Sequence, residues 1–327
     1  MGSLIQNGID WIIAIQALGG WLEAPMQFFT FLGSQDFFFL VLPFIYWSID
    51  AGLGMRVAFG LIASVSLNSY FKLWFVGPRP YWVSGNVQGL SAETSFGVPS
   101  GHAQNAMAVW GIIAARIGKR VAWMLAITLA FLIGFSRLYL GVHFVHDVLA
   151  GWALGAAVLW GVLRFWDPVA AWLKSKTVTS QISLAFVMSL VMIALGYASA
   201  ARLDGYIFPE EYRVNALRAS DELPAPASLE TIVTSAGTFF GLAAGLAWIL
   251  SRGGYQADGP GGKRALRFFV GLVGVFILWR GLGAIVRVGA SVIALVLRYS
   301  RYALVGFWIS AGAPELFFRF KLADPQI

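Results

Sequence analysis

Long apolar stretches recur along this chain between short polar interruptions, and the pattern predicts helices that cross a membrane. A hydrocarbon core about 30 Å thick needs roughly 20 apolar residues of helix. Stretches of that kind fall at about 27–48, 56–76, 100–116, 121–140, 144–164, 180–200, 229–250, 266–286 and 289–311. These predict an all-α polytopic transmembrane bundle of about nine spans. Arg280, Arg287, Arg298 and Arg301 interrupt the last two, which suggests that their boundaries are displaced. The alternating pattern of outer-membrane barrel strands is absent. Residues 3–22 carry Trp11 and Trp21 and no Lys or Arg. They read as a helix lying in the interface, not as a cleavable signal peptide with a basic start.

The polar interruptions give an orientation. Arg116, Lys119 and Arg120 follow the third span, Arg164, Lys174 and Lys176 the fifth, Arg252, Lys263, Arg264 and Arg267 the seventh, and Arg319 and Lys321 the ninth. Strict alternation puts them all on one side, which the positive-inside rule makes cytoplasmic. Residues 81–99 and 138–143, without Lys or Arg, then lie outside. The charged stretch 201–228 reads as an outer loop, and 253–262 as a flexible cytoplasmic connector.

Composition sharpens this picture. Hydrophobic residues make up 58% of the chain and charged residues 12%, with a mean hydropathy of +0.73. Soluble domains carry about twice that share of charge. The formal charge of +7 is explained by cytoplasmic loops, so no nucleic-acid partner is expected. With no cysteine, thiolate nucleophiles, disulfides and Cys-based metal sites are excluded.

Against this apolar background the chemistry is concentrated in three stretches: Lys72-x6-Arg79-Pro80, Pro99-Ser100-Gly101-His102 and Ser136-Arg137-x5-His143-x3-Asp147. All three histidines, His102, His143 and His146, lie within them. The predicted topology brings all three stretches to the outer side, at one membrane depth. Phosphoryl transfer needs cations and N–H donors around the phosphate, an in-line nucleophile and an acid for the leaving oxygen. Lys72, Arg79 and Arg137 supply the cations, the arginines in bidentate fashion. The N–H groups of Ser100 and Gly101 at the start of a helix supply an anion site. His143 and Asp147, four apart, share a helical face. The carboxylate there fixes the imidazole tautomer and frees Nε2 to attack. His102 then serves as acid and later activates water.

These residues resemble the signature of the type 2 phosphatidic acid phosphatase superfamily, K-x6-RP, PSGH and SR-x5-H-x3-D, at all eleven positions and in order. That superfamily includes lipid phosphate phosphatases, isoprenyl diphosphate phosphatases, glucose-6-phosphatases and vanadium haloperoxidases. The resemblance covers about residues 28–165. It implies a phosphohistidine on His143, His102 as acid, phosphate bound by Lys72, Arg79, Ser100, Gly101 and Arg137, and no metal or other cofactor. It also implies a division into an interfacial segment 1–26, a six-helix phosphatase core 27–200, and an outer loop with about three further membrane helices over 201–327. The stretches KLWFVGPRPYW and ETSFGVPSGH look most like the glucose-6-phosphatase branch. The expected function is therefore an integral-membrane phosphatase acting on a phosphomonoester or diphosphate of a lipid. A sugar phosphatase is the alternative, a phospho-head-group transferase a third reading, and a non-catalytic transporter with a vestigial anion pocket a fourth.

Neighbouring residues have plainer readings. His146 reads as a packing residue that hydrogen-bonds near the site, Ser136 as a supporting donor, and Glu93 as a solvated loop charge. A cation site from His143, His146 and Asp147 has suitable helical spacing, but the nearby cations oppose it. The absence of an Asn-x-Ser/Thr acceptor and of a retrieval tail points to a bacterial plasma membrane, with the site facing away from the cytoplasm.

Overall fold

A backbone inside lipid must satisfy its own hydrogen bonds, and this chain does so by helices. The computed structural model describes residues 2–220, 222–285 and 291–324. The order is α1 (Gly2–Gln16), α2 (Glu23–Phe31), α3 (Gln35–Ser48), α4 (Ala51–Phe75), α5 (Pro80–Val83), α6 (Gly101–Ile117), α7 (Arg120–Tyr139) and α8 (Val145–Lys174). There follow α9 (Val178–Ala201), α10 (Glu210–Ser220), α11 (Glu230–Ser251), α12 (Gly261–Phe276), α13 (Leu282–Ile285), α14 (Val292–Phe307) and α15 (Ala313–Arg319). π-helical turns at Ile277–Gly281 and Trp308–Gly312 join α12 to α13 and α14 to α15. No β-strand occurs among the described residues.

Seven helical stretches among the described residues are long and apolar enough to span a membrane, or eight if a bent pair counts as one. The 17-residue α6 falls just short of that length, and with it each of the nine expected segments corresponds to helix. The bent pair, Gly20–Phe31 and Gln35–Ser48, turns by 47° where sequence periodicity predicts one unbroken span. The reason is local. Ser34 Oγ accepts the N–H of Phe37 at 3.2 Å and starts a new helix. A Cβ on Gly33 would stand 2.6 Å from Ile133, so this close passage needs glycine. The 201–228 stretch also departs from expectation. It contains α10, whose Glu210 and Glu211 in the first turn and Arg218 in the last suit the helix dipole.

The chain forms two compact units. The first comprises residues 1–38, 67–160 and 197–228. Its core gathers Ile9 and Ile12 of α1, Tyr81 and Trp82 of α5, Phe96, Tyr139, Val142, Phe144 and Ala216 of α10. On α1 the opposite face leaves Trp11 66% exposed. The first half of α8 approaches α6 through Gly151 and Gly155, where an added Cβ would meet the carbonyl oxygens of Ser100 at 2.5 Å and Gln104 at 2.4 Å. Small residues at such a spacing let membrane helices pack backbone to backbone.

The second unit comprises residues 39–66, 161–196 and 229–327. Its core includes Tyr46, Trp47, Met55, Val275, Val305 and Phe317. Arg267 is buried and donates to the carbonyls of Leu322 and Ala257 at 3.0 and 2.9 Å. Arg298 and Arg301 lie in the first half of the helical stretch Val292–Arg319, which begins and ends later than the expected segment 289–311. Arg298 pairs at 2.6 Å with Glu230, the first residue of α11. Arg301 sits 4.9 Å from the Tyr302 ring centre and Arg280 5.7 Å from that of Trp279. Arg287 lies outside the described residues.

Candidate active site

All three motif stretches, and every residue that they bring together, belong to the first unit. Lys72 is delivered by the last turn of α4 and Arg79 by the residue before Pro80 opens α5. Ser100 caps α6 and His102 lies in its first turn. Arg137 comes from the last turn of α7 and Asp147 from the first turn of α8, with His143 in the tight link between them. Lys72, Arg79, Ser100, Arg137, His143 and Asp147 are buried.

The His143–Asp147 pair has the geometry that the i, i+4 spacing predicts. His143 Nδ1 lies 3.1 Å from Asp147 Oδ2, which also accepts the Phe144 N–H at 2.9 Å. On the other edge of the ring, Nε2 lies 3.3 Å from Arg79 Nη1. A guanidinium only donates, so Nε2 carries the lone pair and the proton rests on Nδ1. Burial, then Arg79, Arg137, Lys72 and His102, push the His143 pKa well below its ordinary value. The ring is therefore neutral, with its free lone pair pointed into the cationic group.

Arg79 does more than the sequence indicates. Its Nε donates to the Ser95 carbonyl at 2.6 Å, Nη1 to the Val142 carbonyl at 2.9 Å, and Nη2 to the Phe96 carbonyl at 3.1 Å. It thus ties the loop before α6 to the turn that carries His143. Lys72 Nζ donates to Ser95 Oγ at 2.8 Å. Arg137 gives Nη1 to Thr30 Oγ1 and Nη2 to Glu93 Oε1, while its Nε is buried without an acceptor.

Ser100 and Gly101 keep their place but not both expected donors. The Ser100 N–H is taken by the Asp147 carbonyl at 2.9 Å. What Ser100 offers instead is its hydroxyl, buried and without a partner. The N–H groups of the first turn of α6, from Gly101 onward, have no preceding helical carbonyl and can donate to an anion. A Cβ on Gly101 would meet Asn68 Oδ1 at 3.2 Å. Asn68 in turn braces the turn, donating to the Pro99 carbonyl at 3.2 Å and to Gln104 Oε1 at 2.9 Å.

Glu93 is the main correction to the sequence reading. It is not a solvated loop charge, for its side chain is only 19% exposed and bridges Arg137 and Arg79, the latter at 3.3 Å. His102, 23% exposed, has Nδ1 4.0 Å from Glu93 Oε1. Burial alone would raise the Glu93 carboxyl, yet Arg79, Arg137, His102 and Lys72 together hold it far below the usual carboxylate range. Ser136 Oγ donates to the Ile133 carbonyl of its own helix at 2.7 Å, a supporting role. His146 is 63% exposed, stacks on Phe144, and has Nε2 3.1 Å from Asp147 Oδ1. Even so, no group of three His, Asp or Glu side chains among the described residues is arranged to hold a metal ion.

Three buried cations, Lys72, Arg79 and Arg137, stand against the carboxylates of Glu93 and Asp147. Such an excess of charge away from water calls for an anion. The unpartnered Arg137 Nε and Ser100 hydroxyl, the first turn of α6 and His143 Nε2 all suit one phosphate group.

Comparison with known proteins agrees with that chemistry. The sequence profile described as the PAP2 superfamily matches residues 53–171. A second, described as the PAP2 superfamily phosphatase transmembrane extension, matches residues 233–325. The chain is 34% identical over 160 residues to phosphatidylglycerophosphatase B of Bacillus subtilis (strain 168), covering 44% of this chain and 75% of that one. It is 31% identical over 185 residues to glucose-6-phosphatase 3 of Homo sapiens, 49% of this chain and 53%, about half, of the relative. A crystal structure described as the first transmembrane PAP2 type phosphatidylglycerolphosphate phosphatase from Bacillus subtilis is 26% identical. It covers 52% of this chain and 89% of that chain, with a TM-score of 0.45.

Proposed function

This chain belongs to the PAP2 superfamily and is an integral-membrane phosphatase, and we propose that it hydrolyses a lipid phosphomonoester or diphosphate through a phosphohistidine on His143. The observation that carries this reading is the orientation of His143, with Nδ1 on Asp147 and Nε2 facing the cations. Nε2 attacks phosphorus in line, forming the P–N bond as the bond to the leaving oxygen breaks. His102 donates a proton to that oxygen and then takes one from the water that cleaves the P–N bond. Asp147 stabilises the charge that develops on the ring, as in triads. Phosphate oxygens are held by Lys72, Arg79, Arg137, the Ser100 hydroxyl and the Gly101 turn. No metal or cofactor enters these steps.

Two observations favour a lipid. The relative of which this chain covers three quarters is named a phosphatidylglycerophosphatase. Beside Asp147, α8 leaves Val145 and Leu149 exposed, an apolar margin along which acyl or isoprenyl chains can enter from the bilayer. The glucose-6-phosphatase match supports a sugar phosphate as the second reading. The distribution of Lys and Arg favours an extracytoplasmic site, and the similarity to a Bacillus subtilis phosphatase favours a bacterial plasma membrane.

The test is phosphate release by purified protein from phosphatidate, phosphatidylglycerol phosphate, an isoprenyl diphosphate and glucose 6-phosphate, with EDTA present. Lipid phosphates should be cleaved. Turnover confined to glucose 6-phosphate would replace the lipid reading, and loss of all turnover to EDTA would remove the metal-free mechanism. Labelling of a cysteine at position 88 only from the cytoplasmic side would reverse the orientation.

A further inference from the structure

Glu93 enters the site where an anion is needed. Its Oε1 accepts Arg137 Nη2, and its Oε2 lies 3.3 Å from Arg79 Nη2. Arg137 Nη1 is committed to Thr30, so the edge left for two parallel bonds is Nε with Nη2. Nε is buried and unpartnered, while Nη2 is held by Glu93. A phosphate that binds this edge bidentately must therefore take Nη2 from the carboxylate.

Where that carboxylate goes is limited by its surroundings. The Glu93 backbone is fixed at both ends: the Tyr81 hydroxyl donates to its carbonyl at 2.9 Å and accepts its N–H at 3.3 Å. The next residue, Thr94, accepts the Ala225 N–H at 2.9 Å. Only the side chain is free to move. The charged groups around it are Lys72 from α4, Arg79 before α5, Arg137 from α7 and His102 from α6. Lys72 gives one N–H to Ser95 Oγ and, in the reading above, turns its others to the phosphate. His102 Nδ1, 4.0 Å from Oε1, is within reach of a small side-chain adjustment.

We propose that Glu93 is a positioning residue that holds the seat between Arg79 and Arg137 until substrate phosphate takes it, and then accepts the Nδ1–H of His102. This rests on the phosphatase reading above. The exchange balances charge: the phosphate anion replaces the carboxylate on the guanidiniums, and the carboxylate passes to the imidazole. There it favours the imidazolium and directs Nε2–H toward the leaving oxygen. One side chain thus weakens phosphate binding and also readies the acid, but only when phosphate is present. The same competition helps to expel product phosphate.

The experiment compares full-length wild-type protein with Glu93→Gln and Glu93→Asp in detergent. Calorimetry reads the Kd of inorganic phosphate, and p-nitrophenyl phosphate turnover reads kcat, KM and their pH profiles. Glu93→Gln should bind phosphate at least fivefold more tightly, lose at least tenfold in kcat, lower KM, and move the alkaline limb of kcat to lower pH by at least one unit. Glu93→Asp should keep the wild-type limb. Unchanged or weaker phosphate binding by folded Glu93→Gln would overturn the proposal, since a merely structural Glu93 would weaken it. If Glu93→Gln does not fold, infrared difference spectra of wild-type protein carrying 13C-glutamate replace it. A shifted carboxylate band on adding phosphate is expected, and no shift would overturn the exchange. Wild-type protein that cleaves no phosphate ester would sink the phosphatase reading alone, while its phosphate-binding comparison would still read the exchange.

Discussion

At the scale of single residues, the proton on His143 decides what the site can do. Asp147 Oδ2 and Arg79 Nη1 hold the two ring nitrogens in opposite roles, one donating and one accepting. Asp147→Asn presents an amide that can also donate, which allows the wrong tautomer. Its kcat should fall on the order of 10^3–10^4-fold with KM little changed, in the lipid-phosphate assay. His143→Ala should abolish turnover and the phosphoenzyme that 32P labelling reads. Stability should respond to pH with a defined sign. His143 and Glu93 both have lowered values in the folded protein. Each therefore stabilises fully above its unfolded pKa, and this is lost as pH falls, by about 1.4 kcal/mol per unit for each group. Melting curves should decline below about pH 6.5 and more steeply below about pH 4.3. His143→Asn should make the first decline shallower, the remainder belonging to His102, whose value is also lowered in the fold, and Glu93→Gln should weaken the second. The motif residues were legible because their geometry is local: four residues on one helical turn bring His143 to Asp147. Glu93 was not, because its position depends on Tyr81, Arg137 and Ala225, which are distant along the chain.

At the scale of elements, the site depends on how closely α8 passes α6. Gly155 meets the Gln104 carbonyl, and a Cβ there would also stand 2.8 Å from that of Met107. Gly155→Val should push the helices apart at a cost of about 1–3 kcal/mol or more. Thermal melts should show a lower Tm, and KM should rise as Ser100 and Asp147 separate, since their backbones are hydrogen-bonded at 2.9 Å. The membrane-spanning helices were legible from apolar length, but not where they end. Gly118, with φ +70, closes α6, and Pro80 opens α5. The break at Gly33–Ser34 escaped, because hydropathy does not register a side-chain cap within an apolar run. So did α10, whose charged surface reads as loop; its buried Asn215, donating to the Trp82 carbonyl at 3.0 Å, supplies a contact that no periodicity reveals.

At the scale of the whole molecule, the two units carry different kinds of charge management. The first gathers Lys72, Arg79 and Arg137 around Glu93 and beside His143. The second spends its buried arginine on structure, with Arg267 donating to carbonyls near Asp258 and Leu322. Arg267→Met should leave those carbonyls unsatisfied and lower stability by about 2–6 kcal/mol. The kcat of the molecules that fold should stay at the wild-type value, because every motif residue lies in the first unit. Denaturation followed by circular dichroism, with activity normalised to folded protein, checks both. Composition made the class of molecule legible from the first pass. The units were not, because α3, α4, α8 and α9 each contribute residues to both, and no linker marks a boundary.

The guanidinium of Arg79 links two events that could otherwise occur separately. The same group that gathers the Ser95 and Phe96 carbonyls also faces His143 Nε2. A chain in which the loop before α6 has not closed onto Arg79 carries a histidine with neither its proton position nor its electric surroundings set. Closing this loop and readying His143 are therefore one event, so a variant that loosens the loop at Ser95 should lose phosphoenzyme labelling even with every motif residue intact.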